Sequence, residues 1–129
     1  MVSHLDKKNS PIMVDVGGKN ITQRIAEAEG EVIFDKNSFK KIESLKSKKG
    51  SIKNIAIIAG IMGAKETSKL MPLCHNIPID AVTIEIIKNI KKNSMKVRAI
   101  VKTSSKTGVE MEALTAVSIS CLTIYDMCK

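Results

Sequence analysis

A chain of 129 residues suits one domain with a modest core, and no linker or low-complexity run divides it. Aromatic residues make up only 2%, namely Phe34, Phe39 and Tyr125, so Ile, Val, Leu, Met and Ala must fill the interior and oligomerisation is an expected source of further burial. The net charge of +8 rests on lysines in many segments, with Arg24 and Arg98 the only arginines; it suits a nucleotide or phosphate ester and sets nucleic acid aside, since there is no arginine-rich stripe and no aromatic stacking platform.

Cys74, Cys121 and Cys128 are widely spaced and lack a CxxC pair, which fits reduced thiols in the cytoplasm. The amino terminus has no signal-like apolar run, and no segment is read as reaching about 18 apolar residues. A soluble cytoplasmic protein without a membrane partner is therefore expected.

Residues 1–10 read as a polar tail, with His4 a solvated residue of it. Ile12 to Val16 predicts a short strand closed by a Gly17-Gly18 turn that Asp15 can anchor. From Ile21 to Phe34, period-two alternation competes with a short helix through Ile25 to Ala28; Gly30 near the middle favours a strand with a bulge. Asp35 or Asn37 then caps an amphipathic helix with Phe39, Ile42 and Leu45 on one face and Lys40, Lys41, Glu43 and Lys46 on the other.

After the basic turn Ser47 to Gly50, Ile52 to Leu70 reads as a buried helix through Ile55, Ile58, Ala59, Met62 and Ala64, with Gly60 and Gly63 admitting a close neighbour. Lys49 at its mouth is suited to a phosphate or to solvent. In MPLCHNIPID, two prolines bracket Cys74, His75 and Asn76 and impose a rigid irregular segment. A histidine held there is placed for proton transfer or phosphate contact. Adjacent Cys74 and His75 without a second ligand cluster do not make a metal site, and no cofactor is indicated.

Ile79 to Ile90 and Met95 to Lys102 alternate cleanly about a polar turn and predict an antiparallel hairpin, with Met95, Val97, Ala99 and Val101 as its apolar row. The loop 103–106 leads to a long apolar helix running from Thr107 to the end, where Thr107 and Glu110 have capping-box spacing. Lys106 and the amides near Thr107 and Gly108 make an anion site plausible.

That helix carries Glu110 and Glu112 near one end and Asp126 and Lys129 near the other. Desolvated charge is costly, so such groups on a core helix are partnered or functional. Glu112 and Asp126 lie fourteen residues apart, on nearly one stripe but roughly 21 Å apart along the axis at about 1.5 Å per residue. If both serve one site, a second copy of the chain supplies one of them. The fold class expected is α+β: a ferredoxin-like antiparallel sheet of about four strands with helices packed on one face.

MPLCHNIP at 71–78 and KTGVEMEALTAVSISCLTIYDMCK at 106–129, with MVDV at 13–16 and IAGIMGAK at 58–65, resemble the molybdenum cofactor biosynthesis protein C family, the cyclic pyranopterin monophosphate synthases. The resemblance spans most of the chain, read as a single domain over residues 1–129. It implies a lyase acting on a GTP-derived substrate, 3′,8-cyclo-7,8-dihydroguanosine triphosphate, made by a partner radical-SAM GTP cyclase, with pyrophosphate released. By position, Asp126 and Lys129 correspond to catalytic residues, and Leu73, Cys74, His75, Met111 and Glu112 to substrate-binding residues. Glu110 and Lys49 also match active-site positions. The family resemblance further implies homohexamers, trimers of dimers with sites between chains.

The chain departs from the family pattern at Ile57 and Glu27, where arginines are expected, and it ends at Lys129 where the family usually continues into a tail with a further catalytic lysine. A catalytically weakened or inactive oligomeric scaffold is the alternative expectation.

Overall fold

A computed structural model describes residues 2–44 and 51–129. The basic turn at 47–50, including Lys49, and Leu45 lie outside the described residues. In chain order the elements are β1 (Thr22–Ile33), α1 (Lys36–Ser44), α2 (Ile52–Lys65), α3 (Thr67–Leu70), β2 (Ala81–Asn89), β3 (Ser94–Ser105) and α4 (Glu110–Cys128). The strands form an antiparallel sheet in the order β1-β3-β2, and α2 and α4 pack on one face of it. This is the expected α+β, ferredoxin-like arrangement, with three strands among the described residues rather than four.

The missing strand is Ile12 to Val16. Its residues are mostly apolar, but it joins none of the ladders of β1, β2 and β3, and a strand exists only where its backbone groups are paired. Asp15 does anchor the following turn, its carboxylate accepting from the Gly17 N–H at 2.8 Å.

The central strand β3 holds the core. Met95, Val97, Ala99 and Val101 are buried, while Lys96 and Lys102 are exposed on the opposite face, as period-two geometry requires. β1 pairs with it residue for residue from Thr22↔Ser105 to Ile33↔Ser94, so no bulge interrupts Gly30, which faces Val97. The glycine has another cause: a Cβ there would sit 2.5 Å from Val117 Cγ1, so its absence lets α4 lie directly on the sheet. On the open face Glu27 accepts from Arg98 Nη2 at 2.7 Å and Lys96 pairs with Glu29 at 3.1 Å.

α1 is capped by Asp35, whose carboxylate accepts from the Ser38 N–H at 2.8 Å and the Ser38 hydroxyl at 2.9 Å, and it buries Phe39 and Ile42. The helix predicted from Ile52 to Leu70 is broken at Glu66 into α2 and α3. Its inward face also differs from the expected one. Ile52, Ala56, Gly60, Gly63 and Ala64 are buried, whereas Ile58 and Met62 are exposed. Small residues face inward because α2 packs tightly on α4: a Cβ on Gly60 would overlap Ser120 Oγ and Ile84 Cδ1, and one on Gly63 would lie 2.8 Å from Ile119 Cγ1. Ser120 seals this contact by donating to the Ala56 carbonyl at 2.9 Å.

α4 starts later than its capping motif suggests. Val109 is the N-cap and provides no side-chain hydrogen bond, and Glu110 is already the first helical residue. The box therefore cannot form, because its carboxylate belongs three positions after the cap. Glu110 instead folds over Gly108, and the Ser105 hydroxyl donates to the Thr107 carbonyl at 2.7 Å. By length and composition alone α4 is long and apolar enough to cross a membrane, as core helices of soluble proteins also are. Here Ala113, Ala116, Val117, Ser120 and Ile124 bury one side of it against α2 and the sheet.

Candidate functional site

The segment after α3 is pinned at both ends. Cys74 N–H donates to the Met71 carbonyl at 3.1 Å, and the Thr103 hydroxyl donates to the Pro78 carbonyl at 2.5 Å. Farther on, Asp80 N–H donates to the Lys102 carbonyl at 2.8 Å and its carboxylate accepts from Ser104 Oγ at 2.7 Å. Proline restriction and these ties carry Leu73, Cys74 and His75 to the amino end of α4. There they enclose, with Glu110, Met111 and Glu112, a cavity of about 150 Å³ whose wall also includes His4, Thr107 and Gly108.

Glu112 is the buried charge of this cavity, at 5% exposure. Burial pushes its carboxyl above the ordinary carboxylate range; its own backbone N–H opposes the shift and the negative charge of Glu110 adds to it. Burial also pushes the Cys74 thiol up, helped by Glu112. A thiol so placed is not a ready nucleophile. A carboxyl that retains its proton more readily than usual can donate a hydrogen bond to a ligand nitrogen or oxygen, or move a proton.

Asp126 and Lys129 lie at the far end of α4, paired at 3.0 Å with side chains 71% and 63% exposed. They do not meet the cavity within one chain: at about 1.5 Å per residue, Asp126 is roughly 21 Å along the helix from Glu112. Lys106, expected to favour an anion, donates to the Gly17 carbonyl at 3.4 Å. Arg24 donates to the Ser105 and Lys106 carbonyls, both at 3.4 Å, and so braces the loop into α4. The two positions that depart from the family pattern are occupied structurally, Glu27 by its Arg98 pair and Ile57 against the core.

His4 was not expected at the site. No periodicity marks it; the only available signal was the Asp6 and Asn9 turn chemistry just after it, which orders the segment. Volume does not select the site either. A larger hollow of about 310 Å³ lies between α2 and β2, but apart from Lys65 and Asp80 its wall is aliphatic. Among the described residues, no three His, Cys, Asp or Glu side chains gather closely enough to hold a metal ion.

An α+β domain whose polar cavity joins a proline-bracketed loop to the acidic first turn of a core helix presents a candidate small-molecule site. The chain belongs to the MoaC family, whose match runs over residues 13–129 and thus includes every element of the fold. It is 51% identical over 128 residues to a protein of Helicobacter pylori strain Shi470 named cyclic pyranopterin monophosphate synthase, covering 99% of this chain and 81% of that one. A Campylobacter jejuni protein of the same name (subsp. jejuni serotype O:23/36, strain 81-176) is 51% identical over 128 residues, covering 99% and 82%. One from Helicobacter pylori strain G27 is 50% identical over 129 residues, covering 100% and 82%.

Proposed function

We infer that this chain is a lyase of molybdenum cofactor biosynthesis that converts 3′,8-cyclo-7,8-dihydroguanosine triphosphate to cyclic pyranopterin monophosphate and pyrophosphate. One observation carries the reading: in a chain about half identical to proteins named for that product, the loop Leu73-Cys74-His75 and the turn Glu110-Met111-Glu112 wall one cavity. In this reading His75 and Glu112 orient the purine-derived ring or the ribose, and Asp126 with Lys129 performs the proton transfers of the ring rearrangement. Lys49, outside the described residues, holds phosphate. The substrate comes from a radical-SAM GTP cyclase, the compartment is the cytoplasm, and residues 1–129 act as one domain. No cofactor, nucleic acid or membrane is called on.

Two features support a homohexamer, a trimer of dimers with shared sites. A cavity of about 150 Å³ is well below the roughly 300–1,000 Å³ usual for ligand pockets, so a nucleoside triphosphate needs walls beyond this one. On α4, Met111, Leu114, Ser118, Leu122 and Tyr125 form an exposed stripe at helical spacing. Antiparallel contact of two such stripes about Ser118 brings Tyr125 and Asp126 of one copy over Met111 of the other. Native mass spectrometry is expected to give a hexamer.

The reaction is tested by incubating purified protein with the cyclic dihydroguanosine triphosphate and measuring pterin and pyrophosphate. Equal release of both, above the rate without protein, is expected. Pyrophosphate at the uncatalysed rate overturns the reading.

A further inference from the structure

We propose that His4 is a substrate-contacting residue of the cavity at the head of α4, held there by the folded amino-terminal segment. The proposal rests on the functional reading above and adds to it a residue outside both stretches that form the rest of the wall.

The segment carrying His4 is closed on itself. Leu5 pairs with Pro11 in an antiparallel bridge, and the Ile12 N–H donates to the His4 carbonyl at 2.8 Å. Within the loop, the Asp6 carboxylate accepts from the N–H groups of Lys8 at 2.8 Å and Ser10 at 2.9 Å. Asn9 turns the chain at φ 61°, a conformation that asparagine tolerates better than most residues. A side chain presented from such a loop loses less conformational freedom on binding than one on a free end.

The chemistry complements what surrounds it. A carboxylate such as that of Glu110 only accepts hydrogen bonds, whereas neutral imidazole offers one donor and one acceptor. His4 is exposed yet shares the cavity wall with His75 and both glutamates. It therefore sits at the rim, where a ligand too large for the cavity must make its next contact.

His4 and His75 are the 2 histidines of the chain, so histidine-labelled protein gives two imidazole signals in a proton–carbon correlation spectrum, assigned with His4→Gln. Titration with GTP is expected to move both signals with one apparent Kd. Movement of His75 alone overturns the proposal and leaves the functional reading intact; movement of neither overturns the proposal, and pyrophosphate release then judges the functional reading separately. In the reaction, His4→Ala is expected to raise KM about three- to ten-fold, the weight of one ordinary hydrogen bond. kcat should stay within about two-fold, as for an interaction made equally in ground and transition states. His4→Gln, whose amide keeps a donor and an acceptor, is expected to recover most of the loss, and Asp6→Ala, which loosens the loop but keeps the imidazole, to give an intermediate KM. An active wild type with KM unchanged in His4→Ala overturns the assignment.

Discussion

The two ends of α4 carry similar acids in opposite surroundings. At the amino end Glu112 is 5% exposed and roofed by the loop that bears His75; at the carboxyl end Asp126 stands in the open, 71% exposed, with Lys129 at 3.0 Å. Burial raises the proton affinity of the first, while the second is held only by an exposed ion pair. The contrast teaches that the two ends call for different tests, the exposed one by rate and the buried one by both rate and stability.

The sharpest break in the comparison is Asp126→Asn. It is expected to lower kcat by about two orders of magnitude or more, as loss of a general acid/base does, while Tm barely moves, since an exposed ion pair contributes under about 1 kcal/mol. Full activity in that variant would remove the carboxyl end of α4 from the reaction.

Glu112→Gln should act on both quantities. Loss of a charged hydrogen bond of about 1.5–3 kcal/mol corresponds to roughly a ten- to hundred-fold fall in kcat/KM. Because the folded-state affinity of Glu112 for its proton lies above the unfolded one, ionisation works against folding. The Glu112 contribution is most favourable below the unfolded pKa, about 4.3, and is lost as pH rises through the raised folded value. The Tm of Glu112→Gln relative to wild type should therefore climb between about pH 4 and pH 8; a difference flat across that range would mean that the carboxyl is not desolvated as the geometry requires.

Gly60→Ala tests the joint that holds both ends to the sheet. Its Cβ would meet Ser120, Ile84 and, at 3.0 Å, the Ala116 carbonyl, an overpacking expected to cost about 1–3 kcal/mol, less the roughly 1 kcal/mol that alanine gains in a helix. A fall in Tm checks it. The smallest effect belongs to Thr107→Ala. A capping residue would cost about 1 kcal/mol on replacement; with Val109 at the cap, a change within about 0.5 kcal/mol in urea unfolding is expected.

Much of the fold was legible in the sequence. The hairpin of β2 and β3 was, because strict alternation over a half-buried antiparallel strand leaves little freedom of register. Gly60 and Gly63 were recognised as close contacts, yet the face of α2 was misjudged: its helix is apolar nearly all round, so periodicity alone does not choose a side, and the glycines themselves mark the inward one. Ile12 to Val16 had the pattern of a strand without a partner. The cavity was legible through the resemblance of two stretches, not through local chemistry. His4 escaped because its position depends on a loop closed by backbone and Asp6 hydrogen bonds rather than on a periodic element.

The chain has a single tyrosine and no tryptophan, and that tyrosine, Tyr125, is exposed on the outer stripe of α4 immediately before Asp126. Its ultraviolet emission therefore reports from one end of one helix, undiluted by any other tyrosine or tryptophan. Quenching by added iodide, followed as the protein is diluted, would show whether anything shields that end, with no dye and no engineered label.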